Sequence, residues 1–278
     1  MSTTAIEEPQ RRRTKLGPPS EFVFSVLALL VATIVVQAIY ALHVRPVAQA
    51  IMEKDRIEVQ NDPAYVSERS FYIIIKDYEQ EAEIILMLWA LAILGYRARE
   101  QSHERRLLEA ELINLPDGIK ILPEDTREYG RQLENLPPAE RERLVPRALL
   151  AALARFGATR NITDVSTVAH GLCQSEADRL DSELSMLRYI AWAIPAIGFI
   201  GTVRGIGDAL SQAHKAVSGD IFGVTEGLGV AFNSTLVALL LSILLMFLLQ
   251  ALQRKQERLV MDTETYLDQR IIRNMQTR

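Results

Sequence analysis

The sequence predicts an all-α integral membrane protein with four transmembrane helices, the third and fourth extended into a helical cytoplasmic domain. Three observations carry this. Residues 22–42 and 227–253 are uncharged runs of 21 and 27 residues, and at about 1.5 Å per residue each is long enough to cross a hydrocarbon core of roughly 30 Å. Charged residues still make up 24% of the 278-residue chain, so charge is segregated away from the apolar runs. The polar remainder places its apolar residues at helical spacings of three and four. Hydrophobic content of 49% excludes disorder for most of the chain, while 6% aromatics and 14 glycines argue against an all-β barrel. The single cysteine, Cys173, excludes a disulfide framework and a multi-cysteine metal site. A net charge of −4 argues against nucleic acid as the main partner.

Residues 1–20, with Arg11, Arg12, Arg13 and Lys15 among prolines, read as a flexible basic arm and topogenic signal. Helix 1 covers 21–43. Its apolar run is too long for a signal-peptide core of about 7–15 residues, and no clean cleavage site follows, so it is expected to stay. Residues 44–80 form an external segment, with a turn at Asn61, Asp62 and Pro63 and a short apolar stretch at 71–75. Helix 2 covers 81–97. Its uncharged run, 84–96, is shorter than the usual minimum of about 17 residues. Flanking Glu79, Glu81, Glu83 and Arg97 can reach the interfaces, which favours a short span over a buried soluble helix.

Residues 98–188 form the helical cytoplasmic domain, divided at Pro116-Asp117-Gly118, Pro123 and Pro137-Pro138. Residues 139–156 read as one helix, and Asn161 or Thr163 is available to cap the next. Cys173, Ala177, Leu180, Leu184, Leu187 and Ala191 then form a heptad-like seam, which predicts one long helix running into helix 3 at 189–213. An external loop, 214–225, leads to helix 4 at 226–252. The tail 253–278 stays helical, with Leu252, Leu259 and Tyr266 seven apart. With both termini inside, 24 of the 31 Lys and Arg residues are cytoplasmic and seven external, so cytoplasmic termini are the preferred orientation.

Two stripes of small residues stand out. On helix 3, Pro195, Gly198, Thr202, Gly205 and Ala209 share one face; on helix 4, Gly227, Ala231, Thr235, Ala238 and Ser242 do so. Close packing within the bilayer is one use of such faces, and Gly201-x-x-x-Gly205 fits it. A narrow hydroxyl-lined path for a proton or ion is another, since a hydroxyl both donates and accepts. Pro195 frees a backbone carbonyl and permits a bend. None of the uncharged runs holds an Asp or Glu, so a proton path would need its carboxylate from a partner. At the outer edge stand Arg204, Asp208 and Glu226. The local reading is an Arg204–Asp208 pair capping the helix end; the other is Arg204 gating cations at an entrance.

The segment Ile194-Pro-Ala-Ile-Gly-Phe-Ile-Gly-Thr-Val-Arg-Gly-Ile206, followed by Gly227-Leu-Gly-Val-Ala-Phe-Asn-Ser-Thr-Leu-Val-Ala-Leu-Leu240, resembles the MotA/TolQ/ExbB proton channel family. The likeness covers roughly residues 185–255. The four-span plan resembles the MotA branch, and the long extended helices resemble TolQ and ExbB. The resemblance implies a bacterial inner-membrane homopentamer around two copies of a single-span partner of the MotB/TolR/ExbD type. That partner's membrane Asp would sit against Thr202 and Thr235, and flow of H+ or Na+ would drive relative rotation. Many ExbB- and TolQ-like members carry a Glu five residues before the second threonine, where this chain has Val230. The position after Gly-Thr-Val is generally apolar in the family and is Arg204 here.

No enzyme is expected, and no cofactor. The four histidines, His43, His103, His170 and His214, show no metal-ligand spacing, and no phosphate-binding glycine loop occurs. Cys173 reads as a small packing residue. A second class of function is a membrane signalling or scaffold protein without ion conduction, in which the 43–80 segment senses and the seam transmits. A solute transporter would show an inverted repeat, which this chain lacks.

Overall fold

The computed structural model describes residues 20–61, 65, 70–110, 112–113 and 120–277. The expected basic arm up to residue 19 and the turns at Asp62-Pro63 and Pro116-Asp117-Gly118 lie outside the described residues. In chain order the helices are α1 (Ser20–Ile39), α2 (Arg45–Asn61), α3 (Phe71–Ile75), α4 (Tyr78–Glu109), α5 (Thr126–Glu134), α6 (Pro138–Arg141), α7 (Leu144–Thr159), α8 (Ile162–Glu183), α9 (Ser185–Ser211), α10 (Ala213–Val217) and α11 (Phe222–Tyr266). One π-helical turn, Tyr40–Val44, joins α1 to α2, and another, Leu267–Ile271, follows α11. No strand occurs among the described residues; one isolated bridge pairs Ile121 with Met275.

Among the described residues, three rods are long and apolar enough to cross a membrane: Phe22–Val59, Ile162–Ser211 and Phe222–Asn274. The first runs on as helix well past residue 43, where an external segment was expected. The second expected span lies on α4, which is not among the three, because its apolar run is short and bounded by charge. α4 is instead clasped by the others. Trp89 donates its indole N–H to the Ser25 carbonyl of α1 at 2.9 Å, and Phe24 stacks on Tyr96 with centroids 5.0 Å apart. Met87, Ala90 and Leu94 of α4 meet Leu187, Ile190 and Ile194 of α9 and Ala238, Leu245 and Leu249 of α11 in one apolar core. The opposite faces of α9 and α11 expose Phe199, Val203, Phe232, Leu240, Ile243 and Phe247, an apolar surface suited to lipid or to neighbouring subunits.

The far ends of α8 and α11 belong to a second core. Leu133 of α5, Leu149, Leu153 and Phe156 of α7, Val165 and Cys173 of α8, and Leu267 and Ile271 after α11 are all buried there. A side chain of this size contributes about 1.5–3 kcal/mol when fully buried. The C-terminal strand-like end is fastened by Ile121, whose N–H donates to the Asn274 carbonyl at 2.8 Å while its own carbonyl accepts from Gln276 N–H at 3.0 Å. Burial pushes the Cys173 thiol up to about 11, with the Glu264 and Glu176 charges adding; the group stays a thiol and acts as packing.

Between the two cores lies a layer of ion pairs. Arg97 of α4 meets Glu183 of α8 at 2.7 Å, Arg143 meets Glu104 at 3.4 Å, and Arg147 of α7 meets Glu176 of α8 at 2.7 Å. Burial pushes the Glu104 carboxyl up, against the pull of Arg143.

Local signals explain most boundaries. The expected helix over 139–156 is broken, because Pro146 has no N–H for the Glu142 carbonyl and Arg143 turns extended at φ −74°, ψ 162°. α7 closes on Arg160 in the left-handed region, φ 53°. Asn161, not Thr163, caps α8: its side-chain oxygen accepts from Thr163 N–H at 2.9 Å. The seam from Cys173 to Ala191 is buried or half-buried throughout and crosses from α8 to α9 with a single irregular residue, Leu184.

Candidate functional site

The two small-residue stripes face each other. A Cβ added at Gly205 would lie 2.5 Å from both the Ala231 backbone nitrogen and the Gly227 carbonyl oxygen. One added at Gly227 would lie 2.6 Å from the Ala209 backbone nitrogen. Gly198 packs on Ala238, and Gly201 on Ser234. Gly198, Gly201, Gly205, Ala209, Gly227, Ala231 and Ala238 are buried, so these residues let α9 and α11 approach backbone to backbone.

Within this contact the polar members pair off. Thr202 and Thr235 are hydrogen-bonded to one another through their hydroxyls. Thr202 also reaches the carbonyls of Gly198 at 3.2 Å and Ala231 at 3.1 Å, and Thr235 reaches the Gly198 carbonyl at 3.3 Å. Both side chains remain half-buried, so the pair sits at the edge of the contact, open on one side. Pro195, inside α9, cannot donate to the Ala191 carbonyl one turn back. Ser242 of α11 supplies the missing partner, donating its hydroxyl to that carbonyl at 3.0 Å. The freed carbonyl expected at Pro195 is thus bonded across the helix pair.

The charges expected at the outer end, Arg204, Asp208 and Glu226, have different partners from those read locally. Arg204 does meet Asp208 at 3.6 Å, but its main partner is Glu79 of α4, engaged through Nε and Nη2 at 2.7 Å each. Asp77 lies 4.0 Å away. Glu226 is paired with Lys76 at 3.5 Å. Arg204→Ala is therefore expected to leave Glu79, whose side chain is only 10% exposed, without its cation. The expected loss is about 1–3 kcal/mol, since a buried charge left unpaired is costlier than the pair was worth. Thermal melting of the detergent-solubilised protein checks this. Arg204→Lys should recover part of the loss, and an unchanged midpoint for Arg204→Ala would show the pair to be inert.

The uncharged runs contain no carboxylate, yet the folded bundle has one at the depth of the stripes. Glu83 is fully buried, and its Oε1 lies 3.4 Å from where a Cβ on Gly198 would be. Glu79 lies against Gly201. Gln80, also fully buried, donates its amide to Ser234 Oγ at 3.3 Å. The uncharged run of α4 begins at Ile84, one residue past Glu83. The signal was present in the spacing: Gln80, Glu83, Met87, Ala90, Leu94, Arg97 and Gln101 step by three and four, and all are buried. Among the described residues no group of three His, Cys, Asp or Glu side chains is placed to hold a metal ion.

The family model of the MotA/TolQ/ExbB proton channel family matches residues 141–265. That span takes in the whole of α8 and α9, and α11 almost to its end, with both threonines. No curated protein and no solved structure matches the chain.

Proposed function

We propose that this membrane-embedded chain, which carries the MotA/TolQ/ExbB proton channel segment over residues 141–265, is the ion-conducting A-type subunit of a motor driven by an ion gradient. The observation that carries the reading is the Thr202–Thr235 hydroxyl pair, half-buried and midway along the packed helices of that segment. Two hydroxyls that already exchange a hydrogen bond can donate to and accept from a passing hydrated proton without new strain. Protons are the favoured ion, with Na+ the other.

In this reading four helices cross the bilayer, α4 being the short second span over 81–97. Both termini and the core built on α5, α7 and α8 are cytoplasmic, and the membrane is the bacterial inner membrane. Five copies surround two single-span partner helices of the MotB/TolR/ExbD type, and a partner Asp docks against the hydroxyl pair. The stripe residues serve mainly to hold α9 and α11 together, so the conducting role falls on the threonines at their edge. No step requires a cofactor or bond-making chemistry.

The test is proton uptake by liposomes holding the complex purified through a tag on this chain. Uptake driven by an imposed potential, together with co-purification of a single-span protein bearing a membrane Asp, supports the reading. A well-assembled complex that conducts neither H+ nor Na+ and brings down no such protein would overturn it in favour of a scaffold.

A further inference from the structure

Four buried polar groups and the half-buried Asp77, at the outer half of the bundle, have side-chain atoms without a hydrogen-bond partner among the described residues or lie directly beside such atoms. Both carboxylate oxygens of Glu83, the Gln80 amide oxygen, the Tyr40 hydroxyl and Asp77 Oδ2 are unpartnered, and Ser234 touches Gln80. They come from three separate rods: Tyr40 from the π-helical turn after α1, Asp77, Gln80 and Glu83 from the start of α4, and Ser234 from α11. A π turn at a buried polar site is a common mark of function. Buried polar groups are normally satisfied, so a cluster of this kind needs a cause.

The cluster has an entrance. A cavity of about 260 Å³ opens beside Asp55, Lys76, Asp77, Thr225, Glu226 and Asn233. Of its lining residues, Asn233 precedes Ser234, and Asp77 stands six residues before Glu83 at the start of α4, about 9 Å along the axis. The depth of Glu83 is that of Gly198, whose carbonyl accepts from both threonines. Beyond the cavity the threonine pair lies level with the Gln80–Ser234 pair, and Glu83 lies about one turn deeper, level with Gly198.

The charged and titratable groups facing Glu83 are few. Among the described residues, Glu79 of α4 acts on it directly; Tyr40 of the first rod lies among Glu83, Glu81, Asp77 and Arg45; Arg204 of α9 is held on Glu79, and the acid of α11 at this end is Glu226. Each cation is committed: Arg45 to Glu81, Arg204 to Glu79 and Lys76 to Asp77 and Glu226. Among the described residues no guanidinium or ammonium is left for Glu83, and no N–H reaches it. A carboxyl so placed can settle its charge only by taking up a proton.

We propose that Glu83 is a proton-binding carboxyl of this chain's own, reached from the outer cavity past Gln80 and Ser234 and seated against Gly198, the residue whose carbonyl both threonine hydroxyls share. It rests on the conducting role proposed above and supplies from α4 the acid that position 230 lacks. The carboxylate takes up a proton delivered by water through the cavity and later gives it back to water; no other bond forms or breaks.

The test compares the purified complex with its Glu83→Gln variant, which keeps shape and hydrogen-bonding capacity but cannot titrate. Infrared difference spectra at neutral pH are expected to show one protonated-carboxyl C=O band lost in Glu83→Gln. The same band should be shifted, not lost, in Glu83→Asp, which also covers the case in which the glutamine variant fails to assemble. Proton uptake by liposomes is expected to fall about tenfold or more in Glu83→Gln, as for loss of a positioned acid–base group, and to recover in part in Glu83→Asp. Identical carboxyl bands in all three proteins would overturn the proposal, as would full uptake by an assembled Glu83→Gln complex. A wild-type complex that shows the band but conducts nothing would retain Glu83 as a proton site and overturn the conducting role instead.

Discussion

Gly205→Ala is expected to disrupt assembly, while Gly207→Ala, two residues along the same helix, is expected to be silent. The added methyl at 205 would stand 2.5 Å from two backbone atoms of α11, the Ala231 nitrogen and the Gly227 carbonyl oxygen, and 2.9 Å from the Ala231 Cα. Backbone inside a packed helix cannot rotate away as a side chain does, so the helices must separate. Overpacking of this kind costs about 1–3 kcal/mol. Separation here also breaks the Thr202–Thr235 bond and draws Ser242 from the Ala191 carbonyl, leaving polar groups unpaired within the bundle. At Gly207 nothing lies within 4 Å of the added methyl. The measurement is the yield of monodisperse protein in mild detergent and its thermal midpoint. A Gly205→Ala protein as stable as Gly207→Ala would mean that α9 and α11 do not meet backbone to backbone.

Thr202→Val combined with Thr235→Val is expected to abolish most ion flux and leave assembly intact. Valine keeps the shape of threonine and removes only the hydroxyl. Because the two hydroxyls bond chiefly to each other, removing both together strands neither, and replacing both partners by apolar groups of equal shape is nearly neutral for stability. The carbonyls of Gly198 and Ala231 keep their places in the helical ladder. Flux depends on the hydroxyls themselves, so the two readouts separate. Either single replacement leaves one hydroxyl bonded to Gly198, and a smaller reduction follows. Full flux through a well-assembled double variant would remove the threonines from the path.

The long helices, the seam entering α9 and the heptad-spaced tail were legible in the sequence because each follows a three–four apolar period over many turns. The threonine pair was legible for the same reason: both lie on faces of minimal volume, and such faces attract one another. What stayed hidden depended on contacts distant in sequence. Glu79 binds Arg204 across 125 residues, and nothing in the local pattern of 189–213 announces a partner on α4. The 13-residue uncharged run of α4 is shorter than its buried face, which continues into Gln80 and Glu83 at one end and Arg97 and Gln101 at the other. A polar residue buried against glycines is invisible to a reading that equates burial with hydrophobicity. The break at Arg143 was visible in principle, since Pro146 removes a donor that a continuous helix would need.

The central claim is that the Thr202–Thr235 edge of the α9–α11 pair opens on a shared lumen. Particle imaging of the complex purified through this chain tests it most directly, because one map counts subunits and locates every helix. The account predicts a ring of five copies around two narrow partner helices, with the hydroxyl pair of each copy turned toward them. A map in which that edge is covered by lipid, or in which the ring is sealed along its axis with no partner helix inside, would contradict it.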